Sequence, residues 1–275
     1  MTTVKNTAYE DEAQPRDLIV TLYGLYARDE HNWLPISGLV RLMGDLGVDG
    51  PAVRSSISRL KRRDTVRSLA QSGVTGYALS PAMLDVLRAG DRRIFEHRRP
   101  ALSDGWVQVV FTVPEAEREK RHELRSRLAR LAFGPVAPGV WIAPGQLADE
   151  VGEVLAAHRL DRYVDIFRGA HLGYAPLSER VQQWWDLDGL ADGYARFVAQ
   201  FRPLRRRRAV SGGGAFAGYV RMLTAWRRLR YRDPGLPLEV LPARWVGATA
   251  TELFDELNAR LRPIAREHAV HTLHA

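Results

Sequence analysis

Pro51-Ala-Val-Arg-Ser-Ser-Ile-Ser-Arg-Leu-Lys-Arg-Arg63 is the stretch on which the reading of this chain turns. Proline is well tolerated at the first helical position, where the N–H it lacks would have had no partner. Val53, Ile57 and Leu60 follow at spacings of four and three, one face of a helix. The other face carries Arg54, Ser55, Ser58, Arg59, Lys61 and Arg62. A helix of this kind packs by its apolar stripe and leaves a row of donors in solvent.

The neighbouring segments give that helix a setting. Two helices are expected before it. The first spans Asp17–Arg28 with Leu18, Leu22, Leu25 and Tyr26 at helical spacing. The second spans Ser37–Leu46, opened by Pro35-Ile36 and stopped by Gly47. Thr65–Ala70 and Gly76–Leu79 read as strands, with Gln71-Ser-Gly-Val-Thr-Gly76 as the turn between them. Three short helices followed by a hairpin is the order of a winged helix-turn-helix, whose third helix enters a DNA major groove. On that reading Arg54, Ser55, Ser58 and Arg59 approach base edges, and Arg62, Arg63 and Arg67 reach phosphates, with Lys61 beside them. The alternative is a helical packing module with a solvated basic face.

Charge placement supports a polyanionic partner. The 275 residues carry a net charge of +8. Residues 51–100 hold eleven Lys and Arg against four Asp and Glu, and residues 201–250 hold eleven against two, while every other stretch is slightly acidic. Such segments are the footprint expected for nucleic acid or a phosphorylated ligand. With 45% hydrophobic and 26% charged residues the composition is that of a globular protein. No run of 18 apolar residues occurs, so no membrane span is expected. The polar stretch Met1–Arg16 does not read as a signal peptide. The absence of cysteine removes disulfides, thiolate metal sites and cysteine nucleophiles, and fits a cytoplasmic protein.

Further along, Pro81–Arg88 reads as a helix, Asp91–Arg99 as a basic, partly helical connector and Pro100–Gly105 as a linker. Trp106–Val113, Gly139–Ala143 and Tyr163–Arg168 are expected strands; Glu115–Leu131 and Gln146–His158 are expected helices between them. This β-α-β-α-β order is compatible with a ferredoxin-like sheet that gains one more strand from a flanking segment. Helices are expected over Leu177–Gln200, broken near Asp186–Gly189, then over Phe216–Leu229 and Thr249–Arg262. The fold class is therefore α+β and multidomain. Its expected parts are a disordered tail (1–14), a winged-helix DNA-binding domain (15–99), a ferredoxin-like dimerisation domain (100–176), a helical C-terminal domain for effector or dimer contacts (177–265) and a frayed tail (266–275).

Two other groups carry possible chemistry. Pro203–Arg208 and Val210–Gly214 read as a basic, Gly-rich loop. Glycines there let amides approach a phosphate, and Arg205, Arg206, Arg207 and Arg208 add guanidinium forks. The Lys-Ser/Thr ending of a nucleotide P-loop is missing, so DNA backbone, a phosphate-bearing ligand and a plain surface loop all remain open. The helix bearing Arg221, Trp226, Arg227 and Arg228 holds either an anionic or aromatic ligand, or only arginine stems over an apolar stripe. Signals for catalysis are weak. There is no Gly-x-Ser-x-Gly elbow and no dinucleotide-binding fingerprint. His268, His271 and His274 are spaced by three, but in the expected tail.

The chain resembles the PaaX-type transcriptional repressors of aromatic catabolism from about Pro15 to Arg262. The resemblance is carried by Pro51–Leu60, Gly105-Trp-Val-Gln-Val-Val-Phe-Thr-Val-Pro-Glu115, Pro138-Gly-Val-Trp-Ile142, Trp185-Asp-Leu187, Arg232-Asp-Pro-Gly-Leu-Pro237 and Leu241-Pro-Ala-Arg-Trp245. No one of these is specific; their order and spacing are. The resemblance implies an N-terminal winged helix, a central domain similar to the CRISPR adaptation nuclease fold and a helical C-terminal domain. It further implies a cytoplasmic homodimer that binds double-stranded operator DNA as a repressor and releases it on binding phenylacetyl-CoA or another acyl-CoA. No enzyme activity, metal or resident cofactor is implied. Arg205–Arg208, Arg221, Trp226, Arg227 and Arg228 are the candidate effector contacts.

The central resemblance raises a rival, a metal-dependent nuclease. Such an enzyme needs oxygen ligands near the end of the first strand, yet Val109-Val-Phe-Thr-Val-Pro114 offers no carboxylate before Glu115. An architectural DNA-binding protein without a ligand is a second rival. One departure stands out: relatives often carry a His-Glu pair where this chain has Thr224-Ala225, upstream of Trp226-Arg-Arg228.

Overall fold

The computed structural model describes residues 13–96, 99–206 and 211–275. These residues divide into two compact units. The first gathers the chain up to Arg92 with Phe201–Trp226 and Leu253–Ala275; the second gathers Arg93–Gln200 with Arg227–Glu252.

In the first unit, α1 (Pro15–Tyr26), α2 (Ile36–Asp45) and α3 (Gly50–Arg62) form as their apolar spacing predicts. They bury Leu18, Ile19, Leu22 and Tyr23 from α1, Leu39, Leu42 and Met43 from α2, and Val53, Ile57 and Leu60 from α3. Asp49 caps α3 by accepting a 2.7 Å hydrogen bond from the Ala52 N–H. A three-stranded antiparallel sheet follows in the order β1-β3-β2: β1 is Trp33–Pro35, β2 is Val66–Gln71 and β3 is Val74–Leu79.

This sheet corrects the sequence reading in two ways. The turn is only Ser72-Gly73, both at positive φ (49° and 79°), rather than the six residues Gln71–Gly76. Two such residues match the right-handed twist of the flanking strands. The strand β1 was not expected. It lies so close to β3 that a Cβ on Gly76 would stand 2.4 Å from the Trp33 ring and 2.5 Å from the Leu34 carbonyl oxygen. Glycine is the residue that permits this approach.

In the second unit, β4 (Trp106–Phe111), β5 (Gly134–Ala137), β6 (Val140–Pro144) and β7 (Val164–Gly169) form an antiparallel sheet in the order β5-β6-β4-β7. With α5 (Arg118–Arg130) and α6 (Ala148–Ala157) between strands, this is the strand order of a ferredoxin-like β-α-β-β-α-β unit. The extra strand is β5, which lies between α5 and β6 and not in a flanking segment as expected. Val107, Val109 and Phe111 of β4 pack with Leu124 and Leu128 of α5 and Val151 and Leu155 of α6. Trp106 and Ile142 belong to a second cluster with Val181 of α7 (Leu177–Trp184), Leu187, Leu236 and Val240.

Four helices contribute residues to both units: α4 (Pro81–Phe95), α8 (Leu187–Arg206), α9 (Gly212–Arg230) and α10 (Val246–His274). The residues expected to make one helical C-terminal domain are thus shared between the units. Two expectations are corrected here, and a third, the partly helical connector, is borne out. Pro203–Arg206 is not loop but the last turn of α8, and Gly212–Gly214 opens α9, with Ser211 Oγ accepting from the Gly214 N–H at 3.2 Å. The expected tail Arg266–Ala275 is helical to His274, because Ala265, Ala269 and Leu273 recur every four residues and are buried. The connector after Arg88 is helix as far as Phe95. Arg207, Arg208, Val210 and residues 1–12 of the expected disordered N-terminal tail lie outside the described residues.

Candidate nucleic-acid interface

Every residue expected to face DNA is solvent-exposed: Arg54, Ser55, Ser58, Arg59, Lys61, Arg62, Arg63 and Arg67. The cause is local. Val53, Ser56, Ile57 and Leu60 fill the buried side of α3, so the residues between them point outward.

The cations differ in how free they are. Arg54, Lys61, Arg62 and Arg63 have no carboxylate partner among the described residues, and Lys61 Nζ lies 5.8 Å from the centre of the Tyr77 ring. Arg59 is held along α3 by the Ser55 hydroxyl, which accepts from Nη2 at 3.1 Å. Arg67, at the root of the hairpin, is paired: its Nε and Nη2 donate to the two carboxylate oxygens of Asp64 at 2.8 and 2.9 Å. The Arg67 hydrogen bonds hold the Asp64 carboxyl below its usual range.

Sequence reading missed what braces the hairpin. Trp33 Nε1 donates to the Leu69 carbonyl oxygen at 2.8 Å, and the Tyr23 hydroxyl donates to the Tyr77 carbonyl oxygen at 3.1 Å. The first ties β2 to β1 across the sheet, and the second ties β3 to α1. Leu69 and Val74, near the tip, remain 45% and 46% exposed. Trp33 between His31-Asn32 and Pro35 was the available signal, since an isolated tryptophan before a helix needs a partner for its N–H.

Of the expected effector contacts, Arg205, Arg206, Arg221, Trp226, Arg227 and Arg228 are among the described residues. Arg205 grips Glu256 through Nε at 3.0 Å and Nη2 at 2.7 Å. Arg206 is exposed at the end of α8. Arg221 donates to the Leu46 carbonyl oxygen at 2.9 Å, closing the C-terminal end of α2. Trp226 is fully buried and stacks on Phe254 with centroids 4.6 Å apart. Arg227 and Arg228 are half-buried near the end of α9. Thr224 is also buried; its hydroxyl bonds the Val220 carbonyl oxygen at 2.7 Å and lies 2.8 Å from that of Thr21.

No three His, Asp or Glu residues stand where they could share a metal ion, among the described residues. Glu115 pairs with Arg121 at 3.0 Å. His268 and His274 face carboxylates, Asp45 at 2.8 Å and Glu30 at 3.2 Å. No described helix is long and apolar enough to cross a membrane.

Comparison with known proteins bears on most of the chain. Residues 14–83 match a family described as PaaX-like protein, residues 99–181 match the PaaX protein central Cas2-like domain, and residues 185–271 match the PaaX-like protein C-terminal domain. The chain is 27% identical over 258 residues to the transcriptional repressor PaaX of Escherichia coli, covering 90% of this chain and 80% of that one. A solved structure, the uncharacterized protein Rv0674 from Mycobacterium tuberculosis, superposes with a TM-score of 0.58 at 22% identity. That match covers 90% of this chain and 97% of the other, and it shows a shared fold.

Proposed function

The chain belongs to the PaaX-type family, and on that premise we propose that it is a DNA-binding transcriptional repressor rather than an enzyme. The observation that carries this is the outer face of α3 with the start of the hairpin: Arg54, Ser55, Ser58, Arg59, Lys61 and Arg62 on the helix, and Arg63 and Arg67 after it, are exposed, and Arg54, Lys61, Arg62 and Arg63 have no carboxylate partner among the described residues. In this reading α1–α3 with β1–β3 act as a winged helix-turn-helix. The helix α3 enters the major groove and the β2–β3 hairpin serves as the wing. Arg54, Ser55, Ser58 and Arg59 read base edges; Lys61, Arg62, Arg63 and Arg67 hold phosphates.

The functional species is a cytoplasmic homodimer on an inverted repeat, its half-sites about one helical turn, ~10 bp, or a multiple apart. A small-molecule effector releases it, and the family resemblance makes phenylacetyl-CoA or another acyl-CoA the first to test. Release works by differential affinity: effector favours a state that DNA does not, and operator DNA must weaken effector binding by the same factor. Fluorescence anisotropy tests the reading. The probes are DNA from upstream of the protein's own gene and random DNA at one salt concentration, with phenylacetyl-CoA, phenylacetate and acetyl-CoA added in turn. The expected result is preference for the upstream DNA and release by the aryl thioester alone. Equal affinity for both DNAs would overturn the repressor reading.

A further inference from the structure

The sheet of the second unit has two faces: one is filled by α5 and α6, and the other is covered only in part. Val107, Val109 and Phe111 turn toward α5 and α6; Trp106 and Gln108 turn the other way. Strand register sets Gln108 between Ile142 of β6 and Phe167 of β7, so the three form a row across that second face. The helix α7 covers one end of the face, with Trp184 packed against the cluster that holds Trp106 and Ile142. Beyond it lies a cleft of about 550 Å³. Small-molecule sites are typically about 300–1,000 Å³, apolar and aromatic with a few placed polar groups.

The lining of this cleft is selective. Trp184 stands edge-on to both Trp106, at 6.3 Å, and His171, at 5.8 Å. Phe167, 56% exposed, completes an aromatic wall. Arg168 and Arg180 also line it, and no carboxylate does. Arg180 has only the Gln183 side-chain oxygen, at 3.3 Å, and Arg168 only a 3.5 Å contact with the Asp104 carbonyl oxygen. Neither guanidinium is neutralised by a carboxylate, so each can receive an acid group through its fork of donors. Among the described residues, none of the arginines expected to hold an effector lines this cleft.

We propose that the cleft between Trp184 and Phe167 is a binding site for a small planar aromatic anion, its ring taken by the aromatic wall and its acid group by Arg168 and Arg180. The site stands on the second unit alone, so its test needs no DNA. The full-length chain is titrated calorimetrically with 2-naphthoate, neutral 2-naphthamide and cyclohexanecarboxylate. One saturable site per chain for 2-naphthoate is expected, with the amide and the non-aromatic acid each about tenfold weaker or more. Arg180→Ala, Arg168→Ala and Phe167→Ala should each weaken naphthoate binding. These side chains are exposed, so circular dichroism and thermal melting should match the parent. Absence of saturable binding, equal binding of the amide, or indifference to all three substitutions would overturn the proposal. So would a sedimentation result in which Phe167→Glu splits a dimer while naphthoate does not bind, because the face would then be covered by a second copy.

Discussion

Arg67 and Asp64 face each other at the root of the β2–β3 hairpin, joined by two N–H···O bonds of 2.8 and 2.9 Å on a fully exposed surface. The guanidinium that sequence reading assigned to a phosphate therefore already has an anion. To reach DNA it must exchange one for the other, and Asp64 repels the same backbone that Arg67 attracts. Asp64→Asn is expected to raise affinity for operator and random DNA alike. It should also steepen the salt dependence by about one ion. Anisotropy titrations across a salt series would show this; an unchanged slope would remove Arg67 from the interface.

Arg63 and Arg62 should behave differently from Arg59. Phosphate contacts weaken binding to every sequence, so Arg62→Ala should lower both affinities and shallow the salt slope. The measurement is the ratio of operator to random affinity, which should stay constant for Arg62→Ala.

The cap of α3 gives a stability prediction. Asp49→Ala removes the acceptor for the Ala52 N–H and should cost about 1 kcal/mol. Denaturant unfolding reads it directly. Because the N-terminal end of α3 would fray beside Arg54, operator affinity should fall as well.

How much of this was legible in the sequence depends on what kind of signal each part leaves. Val53, Ile57 and Leu60 set the face of α3 by spacing alone, and the exposed partners Arg54, Ser55, Ser58 and Arg59 followed. The strands β1 and β5 did not show. Each is short, and β1 exists because Gly76 lets Trp33 and Leu34 approach; a pairing between residues 33 and 78 leaves no local periodicity. The Gly-rich run Ser211–Gly214 misled for the opposite reason. Glycine disfavours a helix locally, but Phe216, Tyr219, Val220 and Leu223 bury α9 and tertiary packing overrides propensity. Trp226 looked like a ligand contact because sequence cannot tell a stacked core indole from a surface one; its partner Phe254 is 28 residues away. The cleft on the second unit was invisible, since Trp106, Phe167 and Trp184 meet only once the sheet is formed.

The end of α10 is a structural part of the first unit. Leu273 is buried and stands so near Gly38 that a Cβ there would come within 3.0 Å of its side chain. The Thr272 carbonyl oxygen accepts two bonds from Arg41, at 3.2 and 3.0 Å, and Arg266 pairs with Asp29. Leu273→Ala should cost about 2–3 kcal/mol, a lost core leucine near a chain end. Thermal melting would reveal it. A change below the noise would mean that this end frays in solution.

Acid sensitivity should come from Asp233 in the second unit. This buried carboxylate accepts from the Tyr194 hydroxyl at 2.6 Å, from Arg99 at 2.8 Å and from the Gly235 N–H at 2.8 Å. Burial pushes its carboxyl up, but Arg99, Arg230, Tyr194 and Gly235 outweigh burial and hold it below the ordinary value. A folded value lower than the unfolded one gives stability that is present above the unfolded pKa, about 4, and is lost as pH falls through the folded value. Stability should therefore decline below about pH 4. Asp233→Asn should flatten that decline and lower stability at pH 7 by about 3 kcal/mol, because Arg99 and Arg230 lose the buried carboxylate that balances them. Urea midpoints between pH 3 and 7 give both quantities.

The claim that α3 reads DNA sequence rests most heavily on Arg59, at the centre of its exposed face. The direct measurement compares parent and Arg59→Ala on the operator and on random DNA at one salt concentration. Loss of a good base contact should weaken operator binding by about 1–3 kcal/mol while random DNA loses far less, so the specificity ratio collapses. Equal loss on both DNAs, or no loss on the operator, would contradict the assignment of α3 as the recognition helix.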